Sequence, residues 1–172
     1  MLPLAANTWG PEERAAALRV IDGGQVTMGP EVEAFEREYA AYCGTKYCVA
    51  VNSGSSAVLL MVAAWTLRYG KGTVIVPAVG WSTSYSPFQQ YGWRLRFVDI
   101  DRNTLNYDLE QLWSATSDGM ADLILAINLL GNPNDFDRFP DLPVLEDNCE
   151  AMGAVYKGRM CGSFGKMAAH ST

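Results

Sequence analysis

Short apolar runs and amphipathic stretches alternate along this chain, and their periods predict its elements. From Pro11 to Asp22 an acidic first turn precedes Leu18, Val20 and Ile21, and Gly23-Gly24 follows, a pattern that predicts a short helix. Gly29-Pro30 opens a second helix. There Val32, Phe35, Tyr39 and Tyr42 recur at spacings of three and four, which predicts one inward face ending at Gly44. Beyond Gly44 the period shortens. Tyr47 to Val51 reads as an apolar strand, Ser53-Gly54-Ser55-Ser56 as a turn, and Ala57 to Leu67 as a helix. Strands are then predicted at 74–76, 94–100, 123–127 and 144–146, with helices at 82–91 and 109–115. Alternation of this kind implies an α/β fold: a mostly parallel sheet, joined by right-handed crossovers and covered by helices. No repeat, low-complexity segment or Pro-rich linker marks a domain boundary.

Composition narrows the classes. With 172 residues, 49% hydrophobic and 11% aromatic, the chain has enough apolar material for a packed core. No apolar run approaches the roughly 18 residues that a membrane span requires, and Met1-Leu2-Pro3-Leu4 lacks the basic start of a signal peptide, so a cytoplasmic protein without a membrane partner is expected. Thirteen basic residues against nineteen acidic ones give a net charge of −6. The basic residues are scattered, which argues against a nucleic-acid partner. Cys43, Cys48, Cys149 and Cys161 show no CxxC pairing, and the chain has one histidine, so free thiols are expected and no zinc cage.

Ligands of open α/β sheets sit beyond the carboxyl ends of strands, and three features fall there. Ser53-Gly54-Ser55-Ser56 leaves a strand and enters a helix, so free amides and the positive end of the helix dipole can meet a phosphate. A Ser-rich helix cap with no ligand has the same signature. Trp81 follows a strand end and the tight turn at Gly80. Its indole suits either a flat wall against an aromatic ligand or ordinary core packing. Asp147 ends an apolar strand, where a carboxylate needs a cationic partner. A protonated pyridine nitrogen would serve, as would a salt bridge to Arg159 or Lys157, and Glu150 could reach the same ring. Taken together, phosphate turn, aromatic wall and strand-end carboxylate match the needs of pyridoxal phosphate.

These motifs carry a family resemblance. Gly29-Pro30 with Phe35-Glu36, Val51-Asn52-Ser53-Gly54-Ser55-Ser56-Ala57, Phe97-Val98-Asp99-Ile100-Asp101, Glu146-Asp147 and Gly162-Ser163-Phe164-Gly165 resemble the amino-terminal half of the DegT/DnrJ/EryC1/StrS sugar aminotransferases, fold-type I vitamin B6 enzymes. Val76 to Thr83, Asn128 to Asn134 and Glu146 to Glu150 are most similar to the subgroup of 3-dehydratases acting on nucleotide-linked 4-keto-6-deoxyhexoses. Aminotransferase members more often carry Gln or His where Glu150 stands.

The resemblance implies a role for each residue. Gly54, Ser55 and Ser56 would hold the phosphate of pyridoxal or pyridoxamine 5'-phosphate, joined by Ser171. Trp81 would stack on the ring, Asp147 would pair with its nitrogen, and Glu150 would sit near its edge. The family's catalytic base lies a few residues after the serine matching Ser171: histidine in the dehydratases, lysine in the aminotransferases. His170 and Lys166 occupy other positions, so no catalytic residue is expected within 1–172 and the chain by itself is expected to be inactive. Residues 1–172 would then form an incomplete cofactor-binding large domain without the family's small carboxy-terminal domain. A nucleotide-sugar substrate and a homodimer are further implied. The leading expectation is C3 dehydration through pyridoxamine phosphate; the alternatives are transamination of a keto sugar and a stand-alone binding or assembly module that kept the fold and lost the chemistry.

Overall fold

The structure is a computed structural model that describes residues 8–172. The chain divides into two compact units, one holding the described residues up to Tyr42 with Lys46–Ala50, the other Cys43–Thr45 with Val51–Thr172.

In the first unit, helix α1 (Pro11–Asp22) begins as its sequence demands, with Pro11 in the first turn and the Glu13 carboxylate accepting the Gly10 N–H at 2.8 Å. It ends where Gly23 N–H bonds the Arg19 carbonyl at 3.0 Å and Gly24 turns to φ +72. Helix α2 spans Pro30–Cys43. The predicted inward face of α2 is only partly realised. Tyr39 is buried and stacks on Phe35 at 5.3 Å, but Phe35 and Tyr42 remain 42% and 48% exposed. The buried stripe is Tyr39, Ala40 and Cys43, rotated toward small side chains that an aromatic periodicity underweights.

The strand predicted at Tyr47–Val51 does not form. Among the described residues no strand pairing includes this segment, Tyr47, Val49 and Val51 are exposed, and the Ala50 N–H bonds the Glu36 carboxylate at 2.7 Å. An apolar pentapeptide specifies a strand only where a neighbouring backbone is present to pair with it.

The second unit carries the predicted α/β sheet. Helix α3 (Gly54–Tyr69) precedes β1 (Thr73–Pro77), α4 (Ser82–Gln90), β2 (Arg94–Val98), α5 (Leu109–Thr116), β3 (Leu123–Ile127) and β4 (Val144–Asn148). A two-stranded antiparallel ribbon follows, β5 (Val155–Tyr156) and β6 (Arg159–Met160), and then β7 (Met167–His170). The five-stranded sheet has the order β2-β1-β3-β4-β7, and all four pairings are parallel. Strand alternation divides the core. Val74 and Val76 pack with Val58, Val62 and Trp65 of α3 and Phe88 of α4, while Ile75 and Ile124 face Leu112 of α5 and Tyr107 on the other side. Burial on both faces explains why β1 and β3 read as unbroken apolar runs.

Most element ends differ from expectation by a residue or two, and three of the changes affect what a segment does. The predicted Ser53–Ser56 turn is the first turn of α3 itself, because the Ser53 hydroxyl caps the helix by accepting the Ser56 N–H at 3.1 Å. Strand β2 stops at Val98, leaving Ile100 in an isolated bridge with Tyr107. Strand β4 continues two residues past Glu146, so Asp147 and Asn148 lie inside the ladder opposite Ala169 and His170. The β5–β6 ribbon was not predicted. It turns through Lys157-Gly158, both at positive φ, and its Tyr156 joins Phe136 and Phe164 in an aromatic cluster.

Candidate functional site

The parallel sheet directs its carboxyl ends toward a cleft of about 500 Å³. Six of the seven residues singled out in the sequence line it: Gly54, Ser55, Trp81, Asp147, Glu150 and Ser171. The seventh, Ser56, lies on the same turn of α3 but outside the lining, its N–H committed to the Ser53 cap.

Helix α3 supplies one end of the cleft. Gly54 sits at its first position, and a Cβ there would stand 2.7 Å from Cys149 Sγ and 3.0 Å from Ser171 Cβ. A side chain at Gly54 would therefore fill the space where α3, the segment after β4 and the end of β7 converge. The Ser55 hydroxyl donates to Thr83 Oγ1 at 3.0 Å, linking the first turns of α3 and α4. Two helix amino termini thus bound one cavity.

Trp81 precedes α4 at its N-cap position and is 70% exposed. The core-packing alternative for this indole is set aside by that exposure. Gly80 has no room for a side chain, since a Cβ would press on the Tyr85 hydroxyl and on Ile127 Cδ1, and this closeness lets the chain turn from β1 into α4.

Asp147 is 5% exposed, and each of its oxygens has a donor. Ser84 Oγ donates to Oδ2 at 2.6 Å, and the Cys149 N–H donates to Oδ1 at 3.1 Å. Neither cation proposed from the sequence reaches it: Lys157 pairs with Asp137, and Arg159 bonds Ser163 Oγ at 3.0 Å and stacks on Phe164. No ion pair to Asp147 forms among the described residues. Burial, aided by the Asp147 charge, pushes the Tyr85 phenol up to about 12 and the Cys149 thiol well above its usual range, so both stay protonated near neutrality.

Glu150 is exposed and accepts the Leu130 N–H at 3.1 Å, holding a loop in which Leu130 adopts φ +52. Ser171 follows β7 directly.

His170 and Lys166 lie elsewhere. His170 pairs in register with Asn148 on β4, is absent from the cleft lining and has its pKa lowered by burial, against the pull of Asp147. Lys166 is exposed just before β7, where its N–H bonds the Val144 carbonyl at the amino end of β4. Among the described residues, neither a lysine nor a histidine lines the cleft.

A buried polar layer behind Asp147 escaped the sequence reading. Glu146 is fully buried, and its carboxylate accepts the N–H groups of Gly162 at 2.7 Å and Gly165 at 2.5 Å. Asn128 bonds Asn148 Oδ1 and accepts from Asn134 N at 2.9 Å, while Asn134 Nδ2 donates to the Ile127 carbonyl at 2.9 Å. This layer ties the Gly162–Gly165 loop to β4 and fixes the strand that presents Asp147. The only advance sign was a run of polar residues in what otherwise read as a buried strand.

Comparison with known proteins places these features in a family. GDP-4-keto-6-deoxy-D-mannose 3-dehydratase of Yersinia pseudotuberculosis is 49% identical over 99% of this chain and 46% of its own length. The dTDP-3-amino-3,6-dideoxy-alpha-D-galactopyranose transaminase of Aneurinibacillus thermoaerophilus is 34% identical over 93% of the chain and 45% of its own. The solved structure of an E. coli GDP-4-keto-6-deoxy-D-mannose-3-dehydratase with bound hydrated PLP superposes with a TM-score of 0.90 at 49% identity, covering 95% of this chain and 44% of that one. The chain therefore spans about half the length of the curated relatives it matches. The profile of the DegT/DnrJ/EryC1/StrS aminotransferase family matches residues 7–171, and the chain belongs to that family.

Proposed function

We propose that this chain is the cofactor-binding part of a vitamin B6 enzyme that removes the C3 hydroxyl of a nucleotide-linked 4-keto-6-deoxy sugar. The observation that carries this reading is the juxtaposition of an exposed indole, a buried carboxylate without a cation and a helix amino terminus around one cleft. The dehydratase relatives, with bound PLP in the E. coli structure, support the choice of cofactor and of reaction.

The residues present fit pyridoxal or pyridoxamine phosphate. Gly54, lacking a Cβ, lets the start of α3 close on Cys149 and Ser171, so the α3 amides and the hydroxyls of Ser55 and Ser171 would converge on the phosphate. Trp81 would cover one face of the ring, a stacking contact of about 0.5–1.5 kcal/mol, and keep water from it. Asp147 would hold a proton on the ring nitrogen. Glu150, already anchored to Leu130, would border the ring edge. Bound in this way, the ring would supply the electron sink needed to remove a proton and expel the hydroxyl.

A base within hydrogen-bond reach is also needed, and the cleft offers neither lysine nor histidine among the described residues. We therefore expect this chain by itself to bind cofactor without turnover, as one portion of a large domain that works as a homodimer in the cytoplasm. The transaminase relative supports amino transfer to a keto sugar as the second reading, and the identity of the base would separate the two.

Quenching of indole fluorescence during titration with pyridoxal and pyridoxamine phosphate tests the proposal. Saturable binding by the wild type, weakened at least about tenfold in Asp147→Asn, is expected. Equal affinities in the two proteins, or no binding by the folded wild type, would overturn it in favour of a non-catalytic assembly module.

A further inference from the structure

Ser84 belongs to no motif of the sequence, yet it makes a hydrogen bond of 2.6 Å to the carboxylate at the centre of the cleft. It is buried, lies in the first turn of α4, and reaches a partner 63 residues away instead of a local carbonyl. That distance falls in the charge-assisted O–H···O⁻ range, so the hydroxyl proton points at Asp147.

The same turn begins at Trp81. Ser84 N–H bonds the Trp81 carbonyl at 2.9 Å, so the exposed indole and the hydroxyl are two ends of one hydrogen-bonded turn. With the Cys149 N–H on the other carboxylate oxygen, Asp147 cannot rotate without breaking one of two bonds. A carboxylate offers about four acceptor sites, so two engaged donors leave sites free for a ring N–H. Tyr85 of α4 also lies in the field of this carboxylate, but its hydroxyl donates to the Pro77 carbonyl at 2.9 Å.

We infer that Ser84 is a positioning residue that sets the Asp147 carboxylate in register with Trp81, so that a cationic heteroaromatic ring meets its stacking wall and its counter-ion at once. The inference rests on the proposed cofactor reading, and it assigns Ser84 an effect exerted entirely through Asp147. Removing the hydroxyl should then matter only while Asp147 keeps its charge.

A double-mutant cycle on pyridoxal phosphate affinity, with thermal melting of each variant, tests it. Ser84→Ala should weaken binding about tenfold, and Ser84→Thr, which keeps the hydroxyl, should restore it to near the wild-type value. Ser84→Cys, which keeps the volume and weakens the donor, should fall between them and covers the case in which the alanine variant does not fold. On an Asp147→Asn background, Ser84→Ala should add no further loss. Wild-type affinity in Ser84→Ala, no rescue by Thr, or fully additive losses in the double variant would overturn the inference while leaving the cofactor reading intact. Failure of the wild type to bind would remove both.

Discussion

Gly54 sets a strict steric condition on the cleft, because no side chain fits between Cys149 Sγ and Ser171 Cβ. Gly54→Ala should push the first turn of α3 away from β7 and lower pyridoxal phosphate affinity by more than about tenfold, while inorganic phosphate binding falls in parallel; a ligand titration of each checks this. Cys149 should resist alkylation near neutral pH, since burial and the Asp147 carboxylate keep it protonated, and mass spectrometry after iodoacetamide treatment of the folded chain would show it unmodified. Asp118 offers a pH test away from the cleft. The Arg96 guanidinium, bonded at 2.8 Å, holds its pKa down to about 2 from 3.8. Its stabilising contribution is thus complete above the unfolded value and is lost as pH falls through the folded one. Melting curves of Asp118→Asn should show a shallower loss of stability between pH 3.8 and about 2 than the wild type. Asp147 and Trp81 were legible in the sequence because each sits where an apolar run ends. Ser84 and Glu146 were not, because what they do depends on partners 63 and 16–19 residues away.

At the scale of elements, helices with strong start and stop signals matched the reading, and α1 did so to the residue because Pro11 and Gly23-Gly24 punctuate it. The elements that differed are those whose state depends on a neighbour. Tyr47–Val51 has strand-like residues but no ladder among the described residues, and β4 outlasts its apolar run because Asp147 and Asn148 keep β7 as a partner. Polar residues continue a strand when buried donors satisfy them, and Glu146 is the clearest instance. Glu146→Gln would set an amide group against one of the two loop N–H donors, leaving it unpaired at a cost of about 1–3 kcal/mol. Urea unfolding should show that loss, and hydrogen exchange should show faster opening at Gly162 and Gly165. An unchanged unfolding midpoint would contradict the role given to the buried polar layer.

At the scale of the molecule, the alternation of apolar runs with amphipathic stretches was enough to specify a parallel, doubly covered sheet, since a strand buried on both faces has few other homes. That topology places every strand's carboxyl end on one side, which is why residues as distant as Gly54, Trp81, Asp147 and Ser171 share a cleft. The division into two units was not legible, because no shift in composition accompanies it. No helix among the described residues is long and apolar enough to cross a membrane, and no group of His, Cys, Asp and Glu among them could hold a metal ion. The most direct measurement on the central claim is a crystal structure of the chain soaked with pyridoxamine phosphate. The account predicts ring density between the Trp81 indole and the Asp147 carboxylate, with the phosphate on the amides at Gly54 and Ser55. A ring bound away from Trp81 and Asp147, or a phosphate seated elsewhere than the start of α3, would contradict it.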